Sequence, residues 1–386
     1  MVTQMDYRSL GSLVERKIGY GIVQPGQSIP NGVPVVKVNN LISGLRSKSE
    51  LETTSTENDK KYARTHLQGG EIIISVVGTI GKTAIVPPSF VGCNLVRATA
   101  LIDIKDRWLA HWVKYYLDSP QGQSYIEQNL NTTVQPTLNI KSLVDMPIPF
   151  PDEDVMKKTV TVLTAFDDKI DCNNAINDNL QQQASALFNL YYEQADTFVP
   201  FSSVIQILSG GTPKTGNPLF WNGDIPFFTP KDIGNPYTLI TEKTITEDGL
   251  THCNSRLYPV NTVFVTARGT VGKVGMSGVP MAMNQSCYAL IGKDTHQLLV
   301  YFYTLKAIDR LKHKASGAVF DAITTKDFET ESIFVLSDAD SKAFLSITEP
   351  IYQALLSNTI ENQRLAAMRD ALLTKLMSGE IDVSNI

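Results

Sequence analysis

A chain that repeats itself must fold as copies of one unit, and these 386 residues repeat once, at an offset of 185 to 192 positions. Gly11-Ser12-Leu13 lines up with Ser202-Ser203-Val204. Val33-Pro34 followed by Val35–Leu41 lines up with Ile225-Pro226 followed by Phe227–Ile233. Ile74-Ser75 with GTIGK matches Val265-Thr266 with GTVGK, and Asn94 matches Asn284. Further on, Ile148-Pro149-Phe150 matches Ile333-Phe334-Val335, and Asn177–Leu180 matches Asn362–Leu365. Loop insertions in a duplicated unit leave this small drift. Two copies are too few for a solenoid, so pseudo-twofold symmetry is the expected outcome.

Each copy changes texture once. Its first 150 or so residues are rich in Gly, Pro and β-branched runs such as GGEIIISVVG and NTVFVTARG. These predict short strands and turns with a few helices, among them 107–118 and 121–130. A stretch without glycine or proline then runs from Asp154 to Asp196. Its apolar residues step through Val162, Phe166, Ile170, Leu180, Leu187 and Tyr191 in threes, fours and sevens. The second copy repeats the ladder at Ile347, Ile351, Leu355, Leu365, Leu372 and Leu376. A period near 3.5 over about five heptads predicts coiled-coil packing, and about 40 residues at 1.5 Å each make a rod of roughly 60 Å. Asn173 and its counterpart Asn358 break this seam once. Either they set register and partner choice, or they lie slightly off the seam and face water. The chain thus divides into a mainly β domain over 1–151, a long helix over 152–196, a second mainly β domain over 197–336 and a second long helix over 337–386.

The shared GT-x-GK raises the question of a phosphate-binding loop. Gly-Lys-Thr at 81–83 ends as a nucleotide-binding loop ends, but that pattern needs glycine where Val76 stands. It also needs a helix where Ala84-Ile85-Val86-Pro87-Pro88 follows, and in the second copy Val274 replaces the metal-binding hydroxyl. A tight turn whose glycines take positive φ accounts for both copies. No run of 18 apolar residues exists to span a membrane, and MVTQMDYRSLGSLVERK carries no apolar secretion signal. Cys93, Cys172, Cys253 and Cys287 lack C-x-x-C pairing, and none of the five histidines has ligand spacing near them. Reduced cysteines in the cytoplasm, without zinc or disulfides, are therefore expected. The net charge of −5 divides as +3 over 1–150, −6 over 151–196, +1 over 197–336 and −3 over 337–386. Acidity is confined to the helices. The β domains remain free to meet DNA, although the chain alone should bind it weakly.

TAFDDKIDCNNAINDNLQQQASALFNLYY (164–192) resembles the central helix of the DNA-specificity subunit of type I restriction-modification systems. LLTKLMSGEI (372–381) resembles that family's C-terminus. LSGGTPKTGNPLFWNGDIPFFTPKDIG (208–234) and ITEDGLTHCNSRLYPVNTVFVTARGTVGKVG (245–275) resemble one common class of its target-recognition domain. The resemblance covers nearly the whole chain; the first domain departs from it, lacking Gly-Gly-Thr-Pro and Phe-Trp and carrying an insertion over Leu45–Arg64. It implies an α+β fold: two pseudo-symmetric mainly-β target-recognition domains separated by two long helices packed as an antiparallel coiled coil. It also implies a subunit without catalytic activity, each recognition domain reading one half of a bipartite asymmetric site in double-stranded DNA while the helices fix the spacing. Two modification subunits binding S-adenosylmethionine would dock on the helices. Two restriction subunits, ATP- and Mg-dependent translocase-nucleases, would join them. No cofactor is expected on this chain itself. Two β domains on a rigid pair suit the same task on physical grounds, since one turn of B-DNA is roughly 34 Å.

The duplication supplies a rule for choosing contacts: shared positions are scaffold, and positions that differ within a shared frame are candidate base readers. Lys82 and Lys273, being shared, suit a phosphate contact or simply solvent. Val77 becomes Arg268, and arginine pairs bidentately with guanine; an ion pair with a carboxylate of its own domain is the competing role. Lys214 and Thr215 follow the glycine-rich Gly210-Gly211-Thr212-Pro213, a loop able to approach DNA closely. Lys231 and its counterpart Asn40 also differ within a shared frame. Arg46, Lys48, Lys60, Lys61 and Arg64 surround the first-copy insertion as a possible basic flap, weakened by Glu50, Glu52, Glu57 and Asp59. Asn284 and Gln285 can read adenine, though a shared asparagine also caps turns. Trp221 is expected in the core rather than stacked on a base. Phe166, Ile170, Asn173, Leu180, Leu187, Ile351, Leu355, Asn358, Leu365 and Leu372 are the expected seam and subunit-docking residues. Asn217-Pro218-Leu219-Phe220 looks like the Asn-Pro-Pro-aromatic loop of amino-methyltransferases, but its third position is wrong and no Phe-x-Gly-x-Gly loop accompanies it. The rival readings are a methyltransferase or nucleotide hydrolase with degenerate motifs, and a protein-binding coiled-coil scaffold.

Overall fold

The computed structural model describes residues 6–42, 44, 45, 47, 48, 51–131, 136–314, 322–381 and 383. The chain falls into two compact units. One comprises the residues up to Asp168 together with those from Leu365 onward, and the other is Lys169–Arg364. Each β domain therefore carries part of both long helices.

In the first unit a four-stranded antiparallel sheet runs in the order Arg16–Tyr20, Thr99–Asp103, Ile72–Ser75, Thr83–Ile85. A second, three-stranded sheet pairs Thr53–Thr54, Val33–Val36 and Asn94–Leu95. The second unit repeats the plan. Ile205–Ser209, Cys287–Gly292, Val263–Thr266 and Val274–Ser277 form its main sheet, extended by a parallel Tyr237–Thr238. Lys243–Ile245, Trp221–Phe228 and Ala282–Met283 form the smaller one. The central strands Ile72–Ser75 and Val263–Thr266 are buried at every position, so they lack the polar alternation of a half-exposed strand. Their side chains still alternate. Ile72 and Ile74 enter the core beneath the helices, while Ile73 enters the core shared with the smaller sheet. Val263 and Val265 versus Phe264 do the same in the second unit.

One helix position separates the copies. In the second unit a single helix, Gln297–Lys314, covers the sheet. In the first, Pro120 cannot continue the ladder, so the chain breaks into Arg107–Asp118 and Pro120–Gln128, with the Ser119 hydroxyl accepting the Gly122 N–H at 3.2 Å.

The central helix spans Glu153–Gln194 and the C-terminal helix Asp338–Met377. The latter stops short of the chain end because Gly379 turns back at φ 74°. The two run antiparallel: in the first unit Asp167 meets Arg369 at 2.6 Å, and in the second Asn173 meets Asn362 and Asn177 meets Asn358. The buried line is one residue away from the expected ladder at several places. Leu355 is buried as expected and Asn173 is buried rather than facing water, but Phe166, Ile170, Leu180, Leu187, Ile351, Asn358, Leu365 and Leu372 are half-buried flanks. Leu163, Ala184, Phe188, Phe344, Tyr352 and Leu373 occupy the interior. Ile347 is exposed, and its neighbour Thr348 is buried in its place.

The seam carries not one break but a layer of asparagines. The Asn173 amide donates to the Asn362 carbonyl oxygen at 2.8 Å and to the Glu361 carboxylate at 2.7 Å. Asn358 donates to Asn177 at 2.9 Å and Asn362 to Asn174 at 3.0 Å. Asn173 and Asn177 match Asn358 and Asn362 in the duplication, so the two cross-helix pairs are pseudo-symmetric copies of one another. Each helix pair is also tied to its domain, by different chemistry. Phe188 stacks on Phe302 at 4.8 Å and meets Phe344 edge-on in the second unit. In the first, Asp167 accepts from the Tyr115 hydroxyl at 2.7 Å, from Lys114 and from Arg369.

Candidate nucleic-acid interface

The GT-x-GK turn links two antiparallel strands in both copies. Gly78, Gly81, Gly269 and Gly272 all have φ between 74° and 82°, a region costly for any residue with a Cβ. The closure is the same atom for atom. Gly81 N–H donates to the Ser75 carbonyl at 2.9 Å and Lys82 N–H to the Ser75 hydroxyl at 2.9 Å. Gly272 and Lys273 donate to the Thr266 carbonyl and hydroxyl at 2.8 and 2.9 Å. A phosphate-binding loop keeps such N–H groups free and opens a helix. Here they are spent on the turn, and a strand follows, so this is no nucleotide loop. The hydroxyl three residues ahead of each first glycine is a structural requirement that the motif alone did not reveal.

Around the second turn lies a groove of about 510 Å³. Arg268, Gly269 and Thr270 contribute from the turn, Thr229, Pro230 and Lys231 from the end of a strand, Thr212 and Thr215 from the preceding loop, and Asn284 and Ser286 from the opposite side. Four of the candidates chosen from sequence, Arg268, Lys231, Thr215 and Asn284, thus converge from separate segments. Arg268 is exposed and makes no ion pair among the described residues. The exposed Lys231 lies 3.7 Å from Glu242, a contact too solvated to hold it. Trp221 is half-buried in the groove wall rather than fully in the core. Its ring meets Phe227 edge-on at 5.5 Å, its indole N–H reaches the Lys214 carbonyl at 3.3 Å, and Lys243 stands over its face. Asn284 accepts from Ser286 N–H at 3.0 Å, and Gln285 accepts from the Thr212 hydroxyl. Lys214 is exposed beside the groove.

The glycine-rich loop is packed closely against its own domain. A Cβ on Gly210 would lie 2.3 Å from the Asn284 carbonyl oxygen, and one on Gly21 would lie 2.4 Å from that of Leu95. These glycines let two backbones touch. Asn40 is not the partner of Lys231 either. Its side chain accepts from Lys37 N–H at 2.8 Å, as Asp232 accepts from Thr229 N–H at 2.8 Å, so Asn40 corresponds to Asp232 and Lys231 to Asn39. The first-copy flap is partly committed internally. Lys48 donates to the Val91 carbonyl at 2.8 Å and Lys61 pairs with Glu57 at 2.8 Å, while Arg64 lies across Gly19 and Lys60 is exposed. Arg46 lies outside the described residues. Lys82 and Lys273 are both exposed beside their turns. Val77, unlike Arg268, is half-buried against the helix-side core. Asn217 caps the short turn Pro218–Phe220, accepting from Leu219 N–H at 3.2 Å. Burial raises the Cys93 thiol and pushes that of Cys287 up to about 12. No helix among the described residues is long and apolar enough to cross a membrane.

Residues 5–182 and 197–363 each match the model of the type I restriction modification DNA specificity domain, and the chain belongs to that family. It is 25% identical over 328 residues to the HindI specificity subunit of Haemophilus influenzae, covering 64% of this chain and 71% of that one. It is 33% identical over 133 residues to the MjaIX specificity subunit of Methanocaldococcus jannaschii, covering 32% of this chain and 31% of that one. The fold resembles the crystal structure of a type I restriction-modification S subunit from M. genitalium with a TM-score of 0.53 at 16% identity, over 97% of this chain and 96% of that one.

Proposed function

We propose that this chain is the DNA-reading component of a type I restriction-modification complex, and that its two β domains each read one half of an asymmetric bipartite site. The observation that carries this is the groove of the second domain. A turn of fixed geometry presents Arg268 beside Thr215, Lys231 and Asn284, while at the same position in the first domain Val77 is half-buried against that domain's core. Identical scaffolds with different side chains suit two readers of different sequences. Arg268 takes the edge of a guanine, Lys82 and Lys273 take phosphates, and the helix pair sets the spacer and docks two modification subunits. S-adenosylmethionine, ATP and Mg belong to the modification and restriction subunits, and the chain works in the cytoplasm without catalysis of its own. Arg268→Ala should cost about 1–3 kcal/mol and relax preference at one base pair. Methylated positions mapped across a host genome would show the change; an unaltered consensus removes Arg268 from base reading. A protein-binding scaffold would give no sequence preference in duplex selection with the assembled complex, and turnover of S-adenosylmethionine or ATP by the isolated chain would make it an enzyme.

A further inference from the structure

The groove of the second domain is bordered by two strand ends whose chemistry is exchanged in the first domain. The strands match bond for bond. Thr266 faces Cys287 as Ser75 faces Thr99. The next bond joins Ala267 N–H to the Ser286 carbonyl in one copy and Val76 N–H to the Ala98 carbonyl in the other, both at 2.8 Å. From the other end, Asn284 N–H reaches the Phe228 carbonyl at 2.9 Å, and Val96 N–H the Val36 carbonyl at 3.1 Å. Val96-Arg97-Ala98 therefore takes the place of Asn284-Gln285-Ser286, and Val96 rather than Asn94 is the counterpart of Asn284. One residue beyond the last shared ladder bond, the second domain carries Arg268 on one strand and Gln285 on the other. The first carries Val77 and Arg97. Its arginine has changed strands.

Gln285 is tethered, since its side-chain oxygen accepts from the hydroxyl of Thr212, a groove residue. Gly211 N–H donates to the Met283 carbonyl as Ile22 N–H donates to that of Leu95, so the next residue, Val23, stands where Thr212 does. Val23 is 45% exposed and has no hydroxyl to offer. Arg97 is exposed, and its side chain has no hydrogen-bond or ion-pair partner among the described residues. Its main chain is fixed, the N–H donating to the Ile22 carbonyl at 2.8 Å. Lys37, at the place of the groove residue Thr229, is held by Glu52 at 2.5 Å. Where Thr212, Asn284 and Ser286 offer polar groups in one domain, Val23, Val96 and Ala98 offer none in the other. Arg97 is the free donor among them.

We propose that Arg97 reads a base for the first domain, its guanidinium donating to O6 and N7 of a guanine. The inference rests on the DNA-reading role above and gives the first domain the arginine that its turn lacks.

The test uses the full chain assembled with its modification subunit, mapping methylated positions across a host genome for the parent, Arg97→Gln and Arg268→Ala. Arg97→Gln installs the second domain's residue and strands no buried partner; melting temperatures check the fold of each variant. It should weaken the preference for guanine at one position by about 5- to 150-fold, in the half of the site that Arg268→Ala leaves intact. An unchanged consensus overturns the proposal, including the case where binding weakens equally on every duplex, the mark of a phosphate contact. Relaxation in the half that Arg268→Ala alters, or at a position without a G·C pair, overturns it as well. A parent complex without sequence preference would instead overturn the DNA-reading role itself.

Discussion

The asparagine layer makes a quantitative prediction about the helix pair. Asn173 is 1% exposed and makes three side-chain bonds: to Asn362, to Glu361, and from Lys169 at 3.0 Å. The neutral bond is worth about 1 kcal/mol. The side chains of Glu361 and Lys169 are 45% and 49% exposed and already pair at 3.4 Å. Water therefore replaces much of what each would lose, leaving about 0.5–1 kcal/mol apiece. Asn173→Leu thus forfeits roughly 2–3 kcal/mol and strands an Asn362 carbonyl oxygen, against about 1–2 kcal/mol returned by burying the leucine in a space shaped for an amide. The expected net loss is about 1–2 kcal/mol. Asn362→Leu should cost a similar amount, since it also removes the bond to Asn174. Changing both removes the shared bond once and leaves two facing leucines, so the double variant should fall short of the sum by about 1–2 kcal/mol. Urea unfolding of the four proteins in the cycle measures this directly. Strict additivity, or a stabilised Asn173→Leu, would refute pairing across the seam.

Other outcomes follow from the same geometry. Thr266→Val and Ser75→Ala each remove the hydroxyl that closes a turn and should cost about 1 kcal/mol in thermal or urea unfolding. Phe188→Ala, which empties the centre of the aromatic cluster, should cost about 3–5 kcal/mol in urea unfolding. Burial tends to raise the Asp167 carboxyl, but Lys114, Arg369 and the Tyr115 hydroxyl outweigh it and hold the group below its usual value. Its stabilising contribution is therefore present above the ordinary aspartate range and lost as pH falls through the depressed value. Asp167→Asn should accordingly be less stable than the parent at neutral pH, with the gap in melting temperature closing as the solution is acidified.

The duplication was legible because both copies need the same turn and the same buried strands, and so keep GT-x-GK and the runs beside it. Helix existence was legible for a similar reason: two long stretches with heptad spacing have few other ways to bury their apolar faces. The phase was not. Interior positions held by Asn173, Asn177, Thr159 and Thr348 are polar, so a search for apolar residues slides onto the flanks and admits the exposed Ile347. Pro350 lies within the C-terminal helix, where its position alone would argue for an end. For the site, single residues were visible but their meeting was not. Arg268, Lys231, Thr215 and Asn284 come from four segments spread over some seventy positions, and only the sheet topology brings them to one groove. The pairing of Lys231 with Asn40 failed by one residue because the cap, not the cation, is what both copies share.

The closure of the turn has a consequence for how such a protein changes over time. Main-chain groups, two glycines and one hydroxyl hold the loop; Arg268 contributes its main-chain N–H, which donates to the Ser286 carbonyl at 3.3 Å, but its side chain takes no part. A substitution of that side chain alters the tip of the turn without disturbing the bonds that close it, so the lining of the groove can change at almost no expense in folding.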